Sequence, residues 1–260
     1  MLIGGSGAGK TWSLRTMVKQ GLKVFAIFTE PGFEVVGDIP CQDLHWHYVQ
    51  PATTDWASMI DSARKINTLS FESLTKLGDI NKLKHNQYIQ VLETLSGFKC
   101  DRCGQSYGAV DSWAPDRVLW LDSLSGLNVM AMALQVGSKP VKSMADWGVA
   151  MDNLEWLIRN ICVVTRCHFV LVAHAERETN EVAGGSQIMA ATLGRKLAPK
   201  LPIYFSDVVL AQRQGDKFTW STAAIGADLK ARNLRIADGL EPDFGQIVST
   251  WKSRGGRVGP

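Results

Sequence analysis

The chain has 260 residues, 45% hydrophobic and 20% charged, which excludes a disordered or low-complexity protein and allows one sizeable α/β domain or two small ones. With 28 Lys and Arg against 25 Asp and Glu, the net charge of +3 points to no class of partner. No apolar run approaches the ~18 residues that span a bilayer, no secretory pattern opens the chain, and the five cysteines are expected to be reduced thiols of a cytoplasmic protein.

The first three residues, Met1, Leu2 and Ile3, read as a short strand that runs into a Gly-rich loop. An amphipathic helix is predicted over 10–20, stopped by Gly21, and a strand over 23–28, closed by the turn Thr29-Glu30-Pro31-Gly32. A strand over 44–49 and a helix over 55–66 follow. Residues 67–115 are more polar and Lys-rich and read as an insertion. The spacing of Ile80, Leu83, Tyr88, Leu92 and Leu95 predicts one helix there, leading into a Cys-x-x-Cys turn.

Regular order resumes with a buried strand over 118–122, a loop-rich stretch, and a helix over 146–162 carried by Trp147, Met151, Leu154, Ile158 and Ile161. A strand over 168–173 ends at His174, a polar loop covers 175–187, and a further strand covers 207–211. The tail over 218–251 reads as short strands, turns and a short final helix. Strands alternating with helices predict an α/β fold: one domain over 1–260, with a mostly parallel twisted sheet and helices on both faces.

Gly4-Gly5-Ser6-Gly7-Ala8-Gly9-Lys10-Thr11 fits G-x-x-x-x-G-K-[ST] completely. Glycines let the backbone curl so that its N–H groups face phosphate oxygens, and the following helix adds its positive end. Lys10 can reach the β- and γ-phosphates of ATP, Thr11 can ligate Mg²⁺, and Trp12 stands next to the loop. The bland alternative, a flexible Gly-rich turn, does not explain the strand before the loop and the helix after it.

Asp122 follows four apolar residues at the C-terminal end of a strand, the edge where such sheets bind ligands, and is the candidate second Mg²⁺ ligand. Glu30 ends the strand after the loop's helix and is the candidate base for water. His174 ends a third buried strand on that edge and can sense the γ-phosphate or the attacking water. Each has a structural alternative, as a strand-end cap, a solvated turn residue or a satisfied histidine.

Together these residues resemble the RecA-like ATPase core. Asp122-Ser123-Leu124-Ser125-Gly126-Leu127 is similar to the D-S-x-x-x-L after the second acidic strand of RecA-type recombinases, and Thr29-Glu30 to the T-E that carries their catalytic base. His174 stands where that family keeps a polar sensor, typically Gln. The chain further resembles phage-encoded AAA-type ATPases, a group that includes single-strand annealing proteins. This resemblance implies an ATP- and Mg²⁺-dependent enzyme acting on single-stranded DNA in phage recombination or annealing. Such an enzyme would work as a homo-oligomer in the host cytoplasm, with a phage or host single-strand-binding protein as a further partner and no membrane.

The resemblance also implies that Lys230 and Arg232, in the form K-x-R, reach a neighbouring subunit's γ-phosphate. It places DNA-facing loops at about 128–143, with Lys139 and Lys142, and about 176–196, with Arg177, Gly184, Gly185, Arg195 and Lys196. Residues 195–260 carry eleven Lys and Arg against six Asp and Glu, so the positive charge collects there. Rival readings are an ATPase serving a replication or packaging machine without its own DNA site, and a nucleotide-dependent switch. A small-molecule kinase fits less well, since the insertion lacks an Arg-rich lid.

Cys100 and Cys103, followed by Gly104, resemble half of a zinc knuckle. Cys41, His45, His47 and His85 are the available further donors, and His45 and His47 would share one strand face. Two reduced surface thiols are the bland reading.

Overall fold

Short runs of β-branched and aromatic residues build the sheet on which the site rests. The computed structural model describes residues 1–78, 82–179 and 185–258; Ile80 and Gly184 lie outside them. The strands are β1 (Leu2–Gly4), β2 (Lys23–Phe28), β3 (Leu44–Tyr48), β4 (Arg117–Asp122), β5 (His168–Thr179), β6 (Ser186–Ala190), β7 (Val209–Gln214) and β8 (Lys217–Ser221). Their order is β3-β2-β4-β5-β1-β7-β8, parallel except for β8, with β6 antiparallel on the end of β5. The helices are α1 (Leu14–Lys19), α2 (Trp56–Thr68), α3 (Phe71–Thr75), α4 (Gln87–Ser96), α5 (Leu124–Val136), α6 (Met144–Val164) and α7 (Gly245–Ser253).

Because successive side chains of a strand point to opposite faces, each apolar strand feeds two cores. Phe25, Ile27, Leu119, Leu121 and Leu171 pack under α4, α5 and α6. Val24, Ala26, Phe28, Trp120 and Val172 pack under α1 and α7. Strands buried on both faces read as continuous apolar runs, and the expected α/β architecture is the one observed. Trp120 meets Phe244 edge-on at 5.6 Å, and Phe244 meets Trp220 at 4.8 Å, which ties the C-terminal segment to the sheet.

The structure corrects four of the predicted elements. First, residues 124–136 form α5 rather than loop. Ser123 caps it through the Gly126 N–H, and Leu124, Leu127, Met130 and Ala131 are buried. Gly126 weakens the helical signal, yet a Cβ there would lie 2.3 Å from Thr29 Oγ1, so close packing demands glycine. The first expected DNA-facing loop, 128–143, is therefore mostly helix.

Second, the polar stretch after His174 continues β5 and pairs Ala175–Thr179 with Ser186–Ala190 as a hairpin. Third, the helix of the inserted segment starts only at Gln87. Tyr88 and Val91 are buried, whereas Leu83 is fully exposed. Fourth, the strand expected over 207–211 is β7, which begins at Val209 and extends into a hairpin with β8. In α6 the buried apolar positions are Ala150, Leu154, Leu157, Ile158 and Ile161, with Trp147 and Met151 at the margin. No helix of the described residues is long and apolar enough to cross a membrane.

Lys139 is held within the fold: its ammonium donates to Asp146 Oδ2 at 3.0 Å, beside the capping box that Ser143 and Asp146 form at the start of α6. The Ser143 N–H and Lys139 draw the Asp146 carboxyl down to about 2, from the ordinary 3.8. A depressed carboxylate contributes stability that is full above its unfolded pKa and is lost as pH falls through the folded one. Between pH 3.8 and about 2, the urea midpoint of the wild type is therefore expected to fall more steeply than that of Asp146→Asn. Parallel curves would show that the cap carries no such linkage.

Candidate nucleotide-binding site

The loop after β1 takes its shape from its glycines. Gly7 and Gly9 have φ of +70° and +77°, in the left-handed region that side chains resist. A Cβ on Gly4 would lie 2.5 Å from the Ala211 carbonyl oxygen of β7, so strand packing also demands glycine. Gly5, Ser6 and Gly7 form the exposed crest, and Ala8 turns inward. A helical turn begins at Lys10, runs through Thr11, Trp12 and Ser13, and leads into α1.

Lys10 is buried, and its ammonium donates to the carbonyls of Gly4 at 2.9 Å and Gly5 at 2.7 Å. Burial lowers its pKa, while Asp122 and Glu30 act in the opposite direction. Positive charge is thus held beneath a loop whose crest is open.

Three strand ends deliver the carboxylates and the histidine to this loop. The register pairs Phe28 of β2 with Asp122 of β4, Asp122 with Val172 of β5, and His174 with Gly4. Thr11 Oγ1 donates to Asp122 Oδ2 at 2.7 Å, and the Trp120 indole N–H approaches the same oxygen at 3.3 Å. Burial raises the pKa of Asp122, opposed first by the bonds from Thr11 and Trp120. A buried carboxylate beside a threonine hydroxyl is an arrangement that a hard divalent cation relieves, and these two oxygens suit Mg²⁺.

Glu30 is oriented by its neighbours. Ser123 Oγ donates to Glu30 Oε2 at 2.7 Å, and His174 Nε2 lies 3.6 Å from the same oxygen. Thr29 Oγ1 donates to the Ser123 carbonyl and accepts from the Ser123 N–H, both at 2.9 Å, so the ends of β2 and β4 are stitched together. A cleft of about 1000 Å³ spans these groups and is walled by Trp12, Phe33 and Phe218, room enough for a nucleotide. Ser123, Thr29 and Phe218 are functional neighbours that the sequence reading did not assign. The D-S dipeptide was the available signal for Ser123, and nothing local marked Phe218, which reaches Gly9 from the β7–β8 hairpin.

Lys230 and Arg232 do not join this cleft. Lys230 pairs with Val208 where β7 begins, at the end of that strand remote from the loop, and its ammonium donates to the Pro202 carbonyl at 3.0 Å. The Arg232 N–H donates to Asp207. Arg177 projects on the β5–β6 hairpin between Glu176 and Glu178.

Cys100 and Cys103 lie beside Cys41 and His45. His47 instead places Nδ1 2.8 Å from Asp101 Oδ1, and His85 stands outside the group. Burial, reinforced by the neighbouring thiols, pushes Cys41 up to about 12, and a backbone bond from Gln105 draws Cys103 down to about 7.

The glycine loop, the buried Lys10 and the Thr11–Asp122 pair on a parallel sheet define a P-loop NTPase domain. The chain belongs to the AAA domain family, whose model matches residues 1–224, and this is a family of nucleotide-binding ATPases. A search of curated proteins found no match. Lys10→Ala is expected to weaken ATP binding at least ~10-fold in equilibrium dialysis, since a charge-assisted contact to phosphate is lost. Unchanged affinity would remove Lys10 from the site.

Proposed function

We propose that the chain is a RecA-like, Mg²⁺-dependent ATPase that works on single-stranded DNA as a homo-oligomer in phage recombination or strand annealing. The observation that carries the reading is the contact set of Glu30. Its carboxylate is fixed by Ser123 and lies within reach of His174, one strand beyond Asp122.

In this reading the loop N–H groups and Lys10 hold the phosphates of ATP, and Glu30 accepts a proton from the attacking water. The water oxygen bonds to the γ-phosphorus as the bridging bond to the β-phosphate breaks, leaving ADP and phosphate. Thr11 and Asp122 would hold Mg²⁺, which when bound offsets the phosphate charge.

His174 sits at the base of the β5–β6 hairpin, so a change at the γ-phosphate has a short route to Arg177 on that hairpin. In this reading Lys230 and Arg232, at the far end of β7, would serve a neighbouring subunit's nucleotide rather than their own. The positive charge of residues 195–260 supports a DNA backbone as the partner, in host cytoplasm and alongside a single-strand-binding protein.

A second reading, an ATPase that drives a protein machine, is supported by α2. That helix has no buried residue and exposes Trp56, Met59, Ile60 and Ile66. Hydrolysis measured with and without single-stranded DNA across a salt series separates the two readings. Stimulation that fades as salt rises is expected, and hydrolysis indifferent to DNA would favour the machine ATPase. Glu30→Gln is expected to lower kcat by a factor of ~10³ with nucleotide binding retained, and Ser123→Ala by ~10-fold. A Glu30→Gln protein of near-normal turnover would instead make the chain a switch.

A further inference from the structure

Outside the nucleotide cleft, the group of metal-ligating side chains found among the described residues is Cys41, His45, Cys100 and Cys103, whose four donor atoms all lie within 4.8 Å of one another. We propose that these four residues form a closed structural zinc site that fastens the inserted segment to the edge of the sheet. The proposal is independent of the ATPase reading.

The geometry is that of a tetrahedral metal. Zn–S bonds of about 2.3 Å and Zn–N bonds of about 2.0–2.1 Å put neighbouring donors roughly 3.5–3.8 Å apart. Cys41 Sγ lies 3.7 Å from His45 Nδ1 and 4.0 Å from Cys100 Sγ, and Cys103 Sγ lies 3.9 Å from His45 Nδ1. All of these cysteines are free, and a sulfur separation of 4.0 Å is far longer than the ~2.05 Å of a disulfide. Three thiolates and one imidazole are soft donors that select zinc over Mg²⁺ or Ca²⁺. Four protein ligands leave no open position, so the metal has a structural role.

The local backbone is shaped for that role. Gly104, with φ of +71°, closes the turn in which its N–H donates to the Cys100 carbonyl at 2.8 Å. The two residues between the cysteines grip β3, the last strand of the sheet. The Asp101 N–H donates to the Trp46 carbonyl at 2.8 Å, and its carboxylate accepts from the Tyr48 N–H at 2.7 Å. The Arg102 guanidinium donates to the carbonyls of Ile39 and Leu44 and lies 4.4 Å from the Trp46 ring. His45 is oriented by stacking on Phe25 at 4.9 Å. Edge strands need such covering, and here His45 belongs to the covered edge itself while Cys41 lies in the turn that leads into it.

Elemental analysis of the full-length protein, expressed with zinc supplied, is expected to show about one zinc per chain, falling below about a tenth in Cys100→Ser and in His45→Ala. His47→Gln, which removes only the Asp101 contact, is expected to keep its zinc. Because the ligand variants can fail to fold, X-ray absorption of the wild-type protein gives a separate reading, expected to show three sulfurs at about 2.3 Å and one nitrogen at about 2.0 Å. Wild-type protein without zinc that also fails to take up added Zn²⁺ or Co²⁺ would overturn the proposal. So would iron in its place, or equal zinc loss in His47→Gln.

Discussion

The 2.7 Å hydrogen bond from Thr11 to Asp122 joins two points separated by 111 residues of chain, and the nucleotide site is assembled around it. Neither residue can be where it is unless β1 and β4 lie one strand apart, with β5 between them in register. That spacing sets the other positions. Placing β5 in the gap brings His174 beside Gly4, and placing β2 on the far flank of β4 brings Glu30 to Ser123. The bond also buries a carboxylate, whose charge is then costly until a cation meets it. A site that is electrostatically incomplete without its metal and its anionic ligand gains most when both arrive together.

Two glycines show how closely the frame is packed behind this contact. Gly4 lets β7 approach β1, and Gly126 lets α5 settle on Thr29, which in turn stitches Ser123 to the end of β2. The aromatic cluster of Phe25, Phe98, Tyr107 and Trp113 does similar work at the other flank, where the inserted segment meets β2. Glu30 thus follows closely on a strand braced from both sides, by β4 at its C-terminal end and by the cysteine-bearing segment along one face.

Much of this was legible in the sequence because it is local. The glycine loop, the apolar run ending in Asp122 and the one ending in His174 each carry their signal within a few residues, and the runs are short and rich in β-branched and aromatic residues, as strands are. What escaped was set by distant partners. Helix α5 hid behind Gly126 and the small polar residues around it, and the requirement for that glycine comes from Thr29. The β5–β6 hairpin hid because its charged residues, the exposed Glu176 and Arg177 and the half-buried Glu178, sit on a strand extending beyond the core. Cys100 and Cys103 announced themselves by spacing, but Cys41 and His45 join them only when β3 is laid at the sheet edge. The shared strand face of His45 and His47 holds in the structure, yet the second histidine bonds to Asp101.

In the proposed function, Thr11 and Asp122 form the seat of a divalent cation bridging protein and nucleotide. Mn²⁺ in place of Mg²⁺ makes that seat visible by electron paramagnetic resonance. With a non-hydrolysable ATP analogue bound, one tightly held Mn²⁺ coupled to nucleotide phosphorus is predicted, weakened in Thr11→Ala and lost in Asp122→Asn. Nucleotide that binds with equal affinity in the absence of any divalent ion, or a phosphorus-coupled Mn²⁺ signal unchanged in Asp122→Asn, would contradict it.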